Sequence, residues 1–133
     1  MICYTLYMIG YKFVIKGRNN CFRSLVKYGI DNSKRVKVCS YKKNVIYCDS
    51  KKLYEFSEQH GYHFFTEPFP KTYGCINRES IFNMNVKESF EKYFRKIHKR
   101  PIKITVVKCE IYDIIAIKNN RILAKSFKIL DKV

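Results

Sequence analysis

Two small groups of residues in this chain have the types that chemistry uses. His60 and His63 form an H-x-x-H pair, with Cys48 and Cys75 the nearest soft ligands in sequence. Zinc needs four such donors converging on one tetrahedral point, and the spacing here is far from finger or ribbon patterns. The second group is Asp31 with Asp49-Ser50-Lys51. In metal-assisted phosphodiester hydrolysis, carboxylates hold a divalent ion while a lysine steadies the developing charge. Asp49 is explained more simply as a helix cap, and D-x-K arises readily in a lysine-rich chain. A metal-dependent nuclease is therefore the weakest of three functional readings. The sequence predicts no catalytic residue, no metal ligand and no cofactor. Three histidines and six cysteines, Cys3, Cys21, Cys39, Cys48, Cys75 and Cys109, pair in many accidental ways without a distinguishing motif.

Charge is the informative property. Twenty-seven lysines and arginines against eleven carboxylates leave a formal charge of +16 in 133 residues, with a pI near 9.7. Such an imbalance argues about partners and not about fold, and it is the electrostatic footprint of a nucleic-acid binder. A bland explanation stands beside it. The chain is rich in Lys, Ile, Asn, Tyr and Phe, has alanine only at Ala116 and Ala124, and lacks tryptophan, as an AT-rich coding sequence would dictate.

The cations fall into two groups. Lys92, Arg95, Lys96 and Lys99 lie on the outward arc of a helix expected over Val86 to Lys99, with Arg100 and Lys103 immediately after it. Glu88 with Lys92 and Glu91 with Arg95 have i,i+4 spacing, so the acids occupy the first half and leave the second unneutralised. The other group, Lys34, Arg35, Lys37, Lys42 and Lys43, belongs to an expected hairpin over Arg35 to Cys48, with Lys42 and Lys43 at its tip. Lys51 and Lys52 extend this group. Tyr41, Tyr47, Tyr62, Phe64, Phe69 and Tyr73 lie near basic residues and are candidates for stacking on unpaired bases. No motif for sequence-specific recognition is present.

These residues need a scaffold, and the composition supports one. Hydrophobic residues make up 47% and aromatics 16%, too many for a disordered polycation. A chain of this length buries about two-thirds of its unfolded surface. The expected fold is α+β: a single domain spanning 1–133, with an antiparallel sheet and two to three helices packed on one face. Ile2 to Ile15 reads as strand broken near Gly10, and Asn20 caps a short helix through Tyr28 that Gly29 ends. Val36 and Val38 alternate with Lys37, Cys39 and Tyr41, which gives the hairpin its period of two. Asp49 or Ser50 caps a second helix to Gln59 or His60, and Tyr62 to Phe65 makes a strand.

The third helix carries the strongest local signals. Asn85 and Glu88 resemble a capping box, while Val86, Phe90, Tyr93, Phe94 and Ile97 make an apolar stripe. Pro101 stops the helix. Ile102 to Val107, Glu110 to Ile117 and Ile122 to Leu130 follow as a three-stranded meander, turning at Lys118-Asn119-Asn120-Arg121.

The opening segment, Met1 to Ile15, has no basic residue before its apolar run, and Gly10 and Lys12 cut it short of a membrane span. The scattered cysteines suit free thiols in a reducing, intracellular compartment. Two partner classes remain. The first is a nucleic acid, DNA or RNA, contacted through phosphates by the two cationic groups. The alternative is a protein partner bound through the aromatic loop 62–73, as in an accessory or host-directed factor of a viral or phage genome.

Overall fold

Residues with β-branched or aromatic side chains recur along most of this chain, and such residues fit a pleated surface. The computed structural model describes residues 6–19, 21–30, 36–49, 61–74, 81–83 and 85–133. Its elements in chain order are β1 (Met8–Lys16), β2 (Cys21–Ile30), β3 (Val36–Lys42), β4 (Ile46–Cys48), β5 (Tyr62–Phe65), β6 (Thr72–Gly74) and β7 (Ile81–Asn83). Helix α1 (Val86–His98) follows, then β8 (Ile104–Lys118) and β9 (Arg121–Lys132). Seven strands join one antiparallel sheet, while β6 and β7 pair with each other.

The pairing is circular. β1 runs beside β8 from Met8↔Ile111 to Ile15↔Ile104, β8 beside β9, β9 beside β5, and β5 returns to β1 at Tyr11↔Phe65. β2 and β3 continue outward from β1, and β4 from β9. A bridge between Lys43 and Ile129 brings the end of β3 back to β9. The sheet thus curls into a barrel, closed between β5 and β1 by the single pair Tyr11↔Phe65 among the described residues.

Curling gives β1, β2, β5 and β8 two apolar faces. Val14, Phe22, Tyr41, Phe64, Cys109, Ile111, Ile122, Ala124, Phe127 and Ile129 meet inside. Phe13, Leu25, Phe65, Ile102, Ile104 and Val106 point outward and are covered by Val86 and Phe94 of α1. Neighbours such as Phe13 and Val14, or Phe64 and Phe65, therefore serve opposite cores. Such strands read as continuous apolar runs rather than alternating ones. Burial pushes the Cys109 thiol up to about 12, against the opposing pull of Lys12, so it behaves as a small inert hydrophobe.

Gly10 lies where β1 meets β5 and β8. A Cβ there would collide with the Ile111 side chain and lie 3.2 Å from both Ile122 Cδ1 and the Phe65 carbonyl oxygen. The glycine therefore marks a close approach inside a continuous strand, not the strand break expected from sequence. Gly10→Val should lower unfolding free energy by about 1–3 kcal/mol through overpacking. Urea unfolding measures it, and an unchanged midpoint would refute the close approach.

The expected sheet with two to three helices on one face is corrected to a large antiparallel sheet with one helix among the described residues. The segment expected as a helix over Asn20 to Tyr28 is strand β2 from Cys21 onward. Its apolar residues Phe22 and Leu25 stand three apart, a helical spacing that in a strand places them on opposite faces. Phe22 therefore enters the barrel while Leu25 packs under α1.

The hairpin expected over Arg35 to Cys48 does turn at Asn44, with a positive φ of 60°, but β3 pairs with β2 and β4 with β9. The first two strands of the expected meander are one strand, β8, and the turn at Asn119 and Asn120 lies where the asparagines place it. The second expected helix falls in 50–60, outside the described residues. No helix among the described residues is long and apolar enough to cross a membrane.

Candidate nucleic-acid interface

Three elements converge beyond the C-terminal end of α1. The helix begins as its sequence requires: the Glu88 backbone N–H donates to Asn85 Oδ1 at 3.2 Å. It ends at Lys99, which adopts φ 55°, just before Pro101. His98 Nε2–H donates to the Leu25 carbonyl oxygen at 2.9 Å and ties this end to β2. Buried Ile102 then anchors the chain against the outer core before β8 starts.

The β1–β2 turn reaches the same place from the other side. Gly17 N–H donates to the Cys21 carbonyl at 2.8 Å, Cys21 N–H donates to the Arg18 carbonyl at 3.1 Å, and Asn19 takes φ 56°. Ile15 is paired with both Ile104 and Arg23, so the start of β8, the end of β1 and the start of β2 lie side by side.

A cavity of about 480 Å³ opens between them, and Lys16, Arg18, Arg23, Arg100 and Lys103 line it above Ile15 and Ile102. All five cations are exposed, and among the described residues no carboxylate lines the cavity. The ion pairs formed among the described residues use other groups: Lys43 with Asp131 at 3.2 Å, Lys128 with Glu110 at 3.7 Å and Lys87 with Glu91 at 3.9 Å.

Arg100 and Lys103, expected from sequence, thus come together with three cations that sequence reading does not select. Lys92, Arg95, Lys96 and Lys99 are exposed along α1 and its C-cap. Glu91 engages Lys87 rather than Arg95. Of the stripe expected to face the core, Val86 and Phe94 are buried, whereas Tyr93 is 61% exposed.

The second cationic group divides. Lys42 is exposed and pairs in register with Cys21, two residues from Arg23, which places it on the same face of the sheet as Arg23. A diagonal cross-strand neighbour lies about 7–8 Å away, so Lys42 extends the basic surface. Lys43 instead holds Asp131, whose carboxyl is kept below its ordinary range by the Lys132 backbone N–H first and by Lys43 second. Lys37 lies on β3 opposite Tyr28. Lys34 and Arg35 fall outside the described residues, as do Lys51 and Lys52.

Lys16, Arg18 and Arg23 are hidden from sequence reading because the apolar spacing of β2 imitates a helix. The signal that could reveal them is the basic turn Lys16-Gly17-Arg18-Asn19-Asn20 between two apolar segments, with Arg23 following at strand spacing.

The remaining candidates have structural partners. Asp49 accepts from the Gly61 backbone N–H at 3.2 Å while its own N–H donates to the Lys125 carbonyl at 2.8 Å. It therefore clamps the approach to β5. His63 Nδ1 lies 3.4 Å from Arg121 Nη2, and His60 is outside the described residues. Among the described residues no group of three or more His, Cys, Asp or Glu is placed to hold a metal ion.

Arg121 is buried, with its guanidinium 5.0 Å from the Phe65 ring and 4.7 Å from that of Tyr73. Its Nε and Nη1 have no hydrogen-bond partner among the described residues. Of the aromatics considered for stacking, Tyr41 and Phe64 are in the barrel interior, and Tyr47 and Tyr62 pack against it. Tyr73 packs beside α1, while Phe69 is 60% exposed. Comparison with protein-family models, curated proteins and solved structures returns no match.

Proposed function

We propose that this protein binds nucleic acid by contacting phosphates without reading base sequence, and performs no catalysis. The observation that carries the reading is the cavity in which Lys16, Arg18, Arg23, Arg100 and Lys103 gather with no lining carboxylate among the described residues. Five like charges held together repel one another, and a polyanion relieves that repulsion while releasing its own condensed counterions. Three of the five are arginines, whose forked donors suit bidentate contact with phosphate oxygens. The exposed cations of α1 continue the surface on one side and Lys42 on the other. The free thiols of Cys21, Cys48 and Cys109 suit a reducing compartment.

Equilibrium binding to a labelled 20-nucleotide single strand and a 20-base-pair duplex, followed by anisotropy from 50 to 200 mM salt, tests this. Neutralising five phosphates predicts a slope of log K against log salt of about −3.5 for the single strand and −4.5 for the duplex. Affinity insensitive to salt, or no binding at 50 mM, would reject the proposal. The rival reading, a protein partner on loop 62–73, draws on fewer exposed groups than the sequence suggests. Phe64, Phe65 and Pro70 are buried there, and Phe69 is the large apolar side chain left exposed.

A further inference from the structure

A second cavity, of about 540 Å³, opens at the other end of α1, lined by Phe69, Pro70, Lys71, Asn85 and Lys87. Its composition differs from that of the cationic cavity. An aromatic ring, 60% exposed, and a proline form an apolar wall. Lys71 and Lys87 bring two positive charges, and among the described residues no carboxylate lines the site. Lys71 is exposed, and Lys87 meets Glu91 only at 3.9 Å, with both side chains partly in solvent. Surface pairs of that kind contribute little, so an incoming anion displaces Glu91 readily. An apolar face beside paired cations fits a ligand that is itself flat and aromatic at one end and anionic at the other.

Resting on the nucleic-acid reading above, we propose that this cavity seats an unpaired base of a single strand against Phe69, with the adjoining phosphate held by Lys71 and Lys87. A duplex keeps its bases stacked on one another and has no face to offer the ring, whereas any base of a single strand does. The geometry also provides continuity. The two cavities lie beyond opposite ends of a 13-residue helix, about 20 Å at 1.5 Å per residue. Lys92, Arg95, Lys96 and Lys99 are exposed along the way. A strand with stacked bases about 3.4 Å apart crosses that distance in roughly six nucleotides, and an extended one in fewer.

Binding of oligo-dT, a matched duplex and inorganic polyphosphate to the wild type, Phe69→Ala and Phe69→Tyr separates the possibilities. Wild type should favour oligo-dT over duplex. Phe69→Ala should weaken oligo-dT binding about tenfold, since one stacked base is worth on the order of 1–3 kcal/mol. It should leave polyphosphate binding and the thermal midpoint unchanged, and Phe69→Tyr should restore the affinity. If Phe69→Ala leaves oligo-dT binding intact, or weakens polyphosphate equally, the base site is overturned while the phosphate-binding reading stands. Wild type that binds none of the three ligands removes both.

Discussion

Arg23→Glu combined with Arg100→Glu should weaken nucleic-acid binding about 100-fold at 0.1 M salt and make the salt slope shallower by about 2. The two residues come from different elements, β2 and the segment after α1, and line one cavity. Each neutralised phosphate contributes about 0.9 to the slope with duplex DNA. Releasing two phosphates therefore costs roughly 60-fold at 0.1 M relative to 1 M, and the reversed charges add repulsion. Both side chains are exposed, so the thermal midpoint should barely move. The control is Lys128→Glu, which makes half the double variant's charge change at a site where the lysine already faces Glu110. If that control weakens binding by half the logarithm of the double variant's loss, net charge alone drives the affinity and the cavity is not the site.

Phe127→Ala should remove about 3–5 kcal/mol of stability, the usual cost of emptying a buried aromatic site. The ring is fully buried, and its centroid lies 4.7 Å from that of Tyr62, 5.2 Å from Tyr41 and Phe64, and 5.7 Å from Tyr47. These partners come from β3, β4 and β5, whereas Phe127 itself sits on β9, so one truncation loosens several staves of the barrel together. Domains carry only about 5–15 kcal/mol in total, and the thermal midpoint should fall on the order of 10 °C or more. Tyr93→Ala offers the contrast: the sequence puts Tyr93 on the inner stripe of α1, but its 61% exposure predicts a change within about 0.5 kcal/mol. Comparable losses from both variants would show that the barrel interior does not hold the fold together.

What is legible in the sequence is local. Asn85, Glu88 and Pro101 bracket α1 because capping and the proline restriction act within a few residues. Asn119 and Asn120 mark the β8–β9 turn for the same reason. A helix over Asn20–Tyr28 does not form because Phe22 and Leu25, three residues apart, satisfy helical spacing and equally the two faces of a strand, and here each face has its own core. A hairpin over Arg35–Cys48 does not form because the partners of β3 and β4 lie elsewhere, and alternation reveals a strand without revealing what it pairs with. The site divides along the same line. Arg100 and Lys103 follow a recognisable helix and can be found from it, whereas Lys16, Arg18 and Arg23 enter the cavity only once β1 and β2 are known to be neighbours.

The bond from His98 to Leu25 bears on how a ligand would be met. By lashing the helix tail to the second strand, it makes the interval between Arg23 and Arg100 a property of the scaffold. The backbones that carry these two guanidinium groups are already in place before any encounter, so little backbone ordering is left for the moment of association. A partner with regularly repeated negative groups would find a fixed template, and its own flexibility, rather than the protein's, would set the entropy lost on docking.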